Sequence, residues 1–291
     1  DISTLSSTTH TDSSKWYSSN TPSFSWETLD LESGVKDVYR YISQTASEIS
    51  STILSSGTKT LLTQWTSTPI ADGIWYFYIL VEDIVGNITL ENTSVKIDTS
   101  IPNIVDITGE YENMWQNITS KPVISWTKPN SISSDIIYIT VDGTTPSSSN
   151  FAYATNQSTY TLAQLSQGEH TIKVIPKNGA GTYGLVKEFI FKYDTTPPDT
   201  VSNLSGSVDT QNKVTLSWNN PTNTDFSKVV VKRNSTLIYE GVGTTLTDTN
   251  LSGSTTYTYL VTTFDIAGNE SLPVTTNITT KDISGPSAVS N

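Results

Sequence analysis

Apolar and polar residues alternate along most of the chain, in runs broken roughly every ten residues by clusters of Gly, Asn, Asp, Ser and Pro. A period of two places every second side chain on the same face of an extended segment, so each run predicts a half-buried β-strand. No stretch carries a 3.6-residue period with capping residues, which predicts almost no helix. Many short strands separated by turn residues predict a β-sandwich.

The pattern is written three times. A strand ending in Ser-Trp closes at Trp26 (PSFSW), Trp126 (PVISW) and Trp218 (VTLSW). A later strand runs into a tight loop in YILVEDIVGN, TIKVIPKNGAG and YLVTTFDIAGN. Each unit then ends in an Asp with a Pro four residues on: Asp98/Pro102, Asp194/Pro198 and Asp282/Pro286. Val105, Val201 and Val289 follow those Asp residues by seven. The Trp residues are spaced by 100 and 92 positions and the Asp residues by 96 and 88; Asp1 stands 97 before Asp98. These marks predict an all-β chain of three tandem sandwiches arranged end to end, at 1–98, 99–194 and 195–282. The ordered core of the first is expected from about residue 14, after a free Ser/Thr-rich start. Residues 283–291 repeat the opening of a unit, so the chain is expected to be a segment of a longer one.

Aligned on the loop, Asp83, Asn178 and Asp265 coincide, as do Gly86, Gly181 and Gly268. Eight residues before the loop mark stand Trp75, His170 and Tyr257. In the third unit, LSGSTTYTYLV reads as a tyrosine corner, a Tyr opening strand F with its hydroxyl returning to the backbone upstream. Trp75 and His170 are expected to hold the same corner. Beyond it, Phe77/Ile79, Ile172/Val174 and Tyr259/Val261 are expected to point inward.

Composition narrows the function. Ser and Thr make up roughly 30% of the chain, far above average usage, and suit strands and turns. A net charge of -12 with scattered basic residues argues against nucleic acid and anionic lipid as partners. The chain has no Cys, two His and one Met, which removes disulfides, thiolate metal sites and most triad chemistry. Its longest apolar run, Ile74 to Val81, is too short to cross a bilayer as a helix, so no membrane insertion is expected.

The third unit, with KVTLSW, KVVVKRN, LIYEG and YTYLVTTFDIAGNES, resembles a fibronectin type III domain of the kind found in bacterial surface proteins. The first, with PSFSWE, DGIWYFYILVEDIVGN and VKIDTSIP, is similar to bacterial immunoglobulin-like repeats, and the second is a divergent member of the same frame. The resemblance implies spacer or display modules without catalysis, partnered by neighbouring repeats of the same polypeptide.

Three chemical candidates remain. The B–C and F–G loops of such a sandwich share the end where its own N-terminus enters, so acidic residues gather there. Asp30, Glu32 and Asp83 in the first unit, and Asp194 and Asp265 at the third, are candidates for a structural Ca²⁺. The competing reading is turn chemistry, with Asp capping the loop and Gly taking a positive φ. Tyr76 and Tyr78, expected to point outward from strand F with Leu80, are candidates for stacking on surface glycans. His10, in the start of the chain, and His170, at the corner, are the only histidines. Neither is placed beside a nucleophile, and no cofactor or catalytic residue is assigned. The sequence therefore reads as an extracellular spacer segment of a long repetitive cell-surface protein. The alternative is an adhesin, or a carbohydrate-binding accessory module of a secreted polysaccharide-degrading enzyme. Assembly with like subunits, with Asp1 to Ser14 as a donor strand, stays open.

Overall fold

The alternating runs become strands, and the computed structural model describes residues 1–104, 106–210 and 213–282. Val105 and the fourth-repeat opening at 283–291, with Pro286 and Val289, lie outside the described residues.

The first sequence repeat holds β1 (Ile2–Ser7), β2 (Trp16–Tyr17), β3 (Ser23–Thr28), β4 (Val35–Ser43), α1 (Ser50–Ser56), β5 (Thr58–Lys59), β6 (Gln64–Thr66), β7 (Gly73–Asp83) and β8 (Ile88–Ile97). They form one sheet in the order β1-β3-β6 and another in the order β2-β8-β7-β4-β5. Phe24 and Trp26 from the first sheet meet Phe77, Ile79, Val95 and Ile97 from the second, all buried. The Phe24 and Phe77 rings stack at 4.2 Å, and Trp65 stacks on Phe77 at 5.5 Å. Truncating one of these aromatics to Ala would cost about 3–5 kcal/mol.

The second repeat holds β9 (Ile107–Gly109), β10 (Trp115–Gln116), β11 (Val123–Trp126), β12 (Ile136–Val141), β13 (Tyr153–Thr155), β14 (Thr159–Thr161), β15 (Gly168–Lys177) and β16 (Lys187–Tyr193). Its sheets run β14-β11-β9 and β10-β16-β15-β12-β13. In the third, β17 (Ser202–Val208), β18 (Val214–Asn219), β19 (Phe226–Arg233), β20 (Thr236–Gly241), β21 (Thr245–Asp248), β22 (Thr256–Asp265) and β23 (Val274–Thr279) follow. Here a three-stranded sheet, β17-β18-β21, accompanies a four-stranded one, β20-β19-β22-β23. The core gathers Val214, Leu216 and Trp218 with Val229, Val231, Tyr259 and Val261. The architecture is all-β, a tandem of β-sandwiches. The described residues fall into two compact units. One comprises Asp1–Thr108, Val123–Tyr160 and Thr171–Phe189; the other comprises Gly109–Pro122, Thr161–His170 and the described part of Ile190–Asn291.

Two expectations about the start of the chain are corrected. The first fourteen residues are not free, because β1 pairs antiparallel with β3 from Ile2↔Thr28 to Ser7↔Phe24. Nor is Asp1 a counterpart of Asp98. Ser6 lies opposite Ser25 just as Ser205 lies opposite Ser217, which sets Asp1 at the position of Thr200, already at strand entry.

Among the described residues α1 is the one helix, seven residues long, with no side-chain cap at Ile49. So short a Ser-rich segment has little helix stability of its own. It is held by Ile53, fully buried against Tyr39, Tyr78 and Leu80. No helix among the described residues is long and apolar enough to cross a membrane.

Candidate functional site

Three tight loops follow β7, β15 and β22, and their local chemistry explains the recurring Asp/Asn and Gly. Gly86, Gly181 and Gly268 sit at φ 94, 92 and 90°, a region that favours glycine. Asp83 accepts from the Asn87 main-chain N–H at 2.7 Å and from Asn87 Nδ2 at 2.7 Å. Asp265 accepts from Asn269 in the same way, both at 2.8 Å. Asn178 Oδ1 accepts from the Thr182 N–H at 2.9 Å. Each loop is also tied to the loop that follows the Ser-Trp strand. Ile84 N–H donates to Gly34 O, Gly179 N–H to Ser133 Oγ, and Ile266 N–H to Asp225 O.

The corner residues behave as their spacing implies. Trp75 Nε1 donates to Ala71 O at 2.7 Å, and His170 Nε2 lies 2.9 Å from Ser166 O. The Tyr257 hydroxyl accepts from the Ser252 N–H at 3.0 Å. His10, expected in a free segment, is instead buried against Tyr17 at 4.4 Å, with Nε2 2.8 Å from Ser19 O. Both histidines thus point a ring nitrogen at a backbone carbonyl, a structural use.

The acidic candidates fall into two groups. Asp30 accepts from Glu32 N–H, Ser33 N–H and Ser33 Oγ, while Glu32 itself is exposed. Ser33 Oγ also lies 2.9 Å from Asp83 Oδ2. The Ser33 hydroxyl bond, followed by the two N–H bonds, holds the Asp30 carboxyl below its ordinary pKa. For Asp83, burial opposes ionisation, but the bonds from Asn87 and Ser33 together outweigh it and lower its pKa. These carboxylates are occupied by their own loops. They line a cleft of about 670 Å³ with Leu29, Leu31, Ser33 and Asn87.

At the third repeat, carboxylate oxygens of Asp194, Asp225 and Asp265 lie within 4.8 Å of one another, close enough to share one cation. Asp225 was absent from the sequence candidates. It lies just before β19, in a loop that meets Asp265 only in the folded chain, and nothing local in the sequence marks it. Asn269 joins this group, donating Nδ2 to Asp194 O at 3.0 Å and accepting from Asn117 Nδ2 at 2.9 Å.

A similar clasp holds the Asp98 linker. Ser133 donates its N–H and hydroxyl to Asp98 Oδ2, Ser100 donates its own pair to Oδ1, and Asn178 Nδ2 reaches Ser100 O at 2.9 Å. Asp98 is 0% exposed. Burial disfavours its charge, but the four donors together overcome that and lower its pKa.

The aromatic strip is corrected. Tyr78 is 1% exposed and Leu80 is 0% exposed, so neither offers a face to a sugar. The segment between β4 and β6 folds over the outer face of β7, making a second small core with Tyr39 and Ile53. The Tyr78 hydroxyl donates to Thr45 O at 2.6 Å and accepts from the Glu48 N–H at 3.3 Å. Tyr76 is half-buried against the same cluster.

No family model matches the chain. Part of it is 39% identical over 102 residues to exoglucanase B of Cellulomonas fimi, covering 32% of this chain and 9% of that protein. Part is 40% identical over 90 residues to the chitinase Chi52 of Paenibacillus xylanexedens, covering 29% of this chain and 17% of that one. Among solved structures, the FN1–FN3 domains of chicken CNTN1 align over 97% of both chains, with 14% identity and a TM-score of 0.39. The Clostridium perfringens spore cortex lytic enzyme SleM aligns over 29% of both, with 18% identity and a TM-score of 0.27. This chain spans less than a fifth of either curated relative's length.

Proposed function

We propose that the chain is a non-catalytic, extracellular spacer built of fibronectin type III-like sandwiches with boundaries near 98, 194 and 282. The observation that carries this reading is the pair of linker clasps. Ser133 and Asn178 hold the Asp98–Ser100 segment, and Asn269 holds Asp194. Polar side chains at these two loop ends are spent on the polypeptide itself, where a binding module would leave them for a ligand.

Two contexts suit such a spacer: a long cell-surface protein, and the accessory region of a secreted polysaccharide-degrading enzyme. The second is favoured by the partial likeness to an exoglucanase and a chitinase. In either, the segment separates working domains and its partners are neighbouring repeats. Co-sedimentation of the full chain with insoluble cellulose and chitin tests the reading. A spacer stays in the supernatant with an inert control protein. Retention on either polymer would replace it with a carbohydrate-binding module.

A further inference from the structure

Asn87 and Asn269 are held alike, each by its main-chain N–H on one oxygen of the loop Asp and by its side-chain amide on the other. At Asn269 the remaining polar atoms are used: Nδ2 also donates to Asp194 O, and Oδ1 accepts from Asn117 Nδ2. At Asn87 the same two positions, the second amide hydrogen and Oδ1, have no partner among the described residues. They open beside the cleft at the loop end of the first sandwich, where Leu29, Leu31, Ile84 and Val85 are exposed. In the second sandwich the corresponding Ser133 and Asn178 are buried on the Asp98 linker.

We infer that the loop end of the first sandwich, centred on Asn87, is a docking surface for the Asp-x-x-x-Pro exit of another sandwich repeat of this kind. The inference rests on the spacer reading. The Asn87 amide would take the linker Asp carbonyl, and Ile84 and Val85 would be covered by the incoming repeat. What supports this occupant is the chain's own usage, since the same loop end meets such a linker at Asp98 and again at Asp194. The strand register adds a geometric condition. Asp1 occupies the position of Thr200, six residues beyond Asp194. In sequence, the Asp282 of a copy whose Ser287 directly precedes Asp1 stands six residues before that Asp1, as Asp194 stands six before Thr200.

The test is a fusion in which residues 1–287 of one copy run directly into a second full chain, compared with the single chain by hydrogen–deuterium exchange. In the single chain, the peptide spanning Asp83–Asn87 should exchange as one population. In the fusion it should split into two, one unchanged and one slower by roughly tenfold, the scale of one added hydrogen bond. Asn87→Ala in the downstream copy should abolish the slow population, whereas the same change upstream should spare it. The first comparison involves no substitution, so it does not depend on how a variant folds. One unsplit population in the fusion would overturn the inference. So would a slow population in the single chain that grows with concentration, since the occupant would then be a free second copy. Neither outcome bears on the polysaccharide test of the spacer reading.

Discussion

Ser133 donates both its N–H and its hydroxyl to the buried carboxylate of Asp98, thirty-five residues earlier in the chain. Because the folded state lowers the Asp98 pKa, the ionised group adds stability above its ordinary value of 3.8. That contribution is lost as pH falls from 3.8 through the lower folded value. Asp98→Asn should cost about 1–3 kcal/mol at neutral pH. Thermal unfolding of both proteins across pH should show the gap closing only below 3.8. A gap independent of pH would mean that the charge of Asp98 is not what the serines stabilise.

Tyr78 predicts a different response. Tyr78→Phe keeps the ring in the second small core but removes the bonds to Thr45 and Glu48, at about 0.5–1.5 kcal/mol each. Exchange or proteolysis should therefore speed up within residues 44–57 while the rest of the first sandwich is unchanged. Equal loosening throughout would contradict the view that this segment is clipped locally to β7.

In the third sandwich Arg233 Nη1 lies 2.8 and 2.9 Å from the two carboxylate oxygens of Asp248, and the buried Tyr259 hydroxyl donates to the same carboxylate at 2.8 Å. Burial, then the Asp248 bond and charge, push the Tyr259 pKa well up, so it stays a neutral donor. Tyr259→Phe leaves Asp248 paired and should cost about 1–2 kcal/mol; Arg233→Ala leaves it with one donor and should cost more. Denaturant midpoints of the two variants give the order directly, and a reversed order would refute it.

Gly184 lies against the linker that follows Asp98. A Cβ added there would stand 1.6 Å from Pro102 O, so Gly184→Ala must displace backbone. Gly86→Ala meets nothing within 4 Å and pays only for its positive φ, about 1 kcal/mol. The first should lower the melting temperature several times more than the second. Similar losses would mean that the linker moves aside freely.

The Asp194/Asp225/Asp265 cluster invites a calcium titration. Asp265 already accepts two bonds from Asn269, and a cation would compete for those oxygens. Melting curves with Ca²⁺ and with chelator are expected to coincide. A rise with Ca²⁺ that Asp225→Asn abolishes would establish binding by mass action and refute the loop-cap reading there.

Local pattern made much of this legible. The Ser-Trp strands, the inward alternation of strand F and the corner residues depend on spacing within one or two strands, and that spacing is written in the sequence. The outer face of β7 was not legible. Tyr78 and Leu80 are buried by a helix of poor propensity whose Ile53 arrives from another part of the chain, and no period announces it. Asp225 escaped for a related reason. A carboxylate cluster forms by tertiary placement, and one loop Asp among many has no local mark.

The short strands β2 and β10 each pair parallel with the last strand of their repeat, Trp16–Tyr17 with Lys96–Ile97 and Trp115–Gln116 with Lys192–Tyr193. Tension along the polypeptide would drag the entering and leaving strands in opposite directions past each other. Their cross-strand bonds would then be sheared together, whereas a hairpin pulled at its open end unzips one bond at a time. Under such tension a few residues at each edge would act as a catch, and the rate at which it slips, more than the equilibrium stability of either core, would set how long these two repeats stay folded.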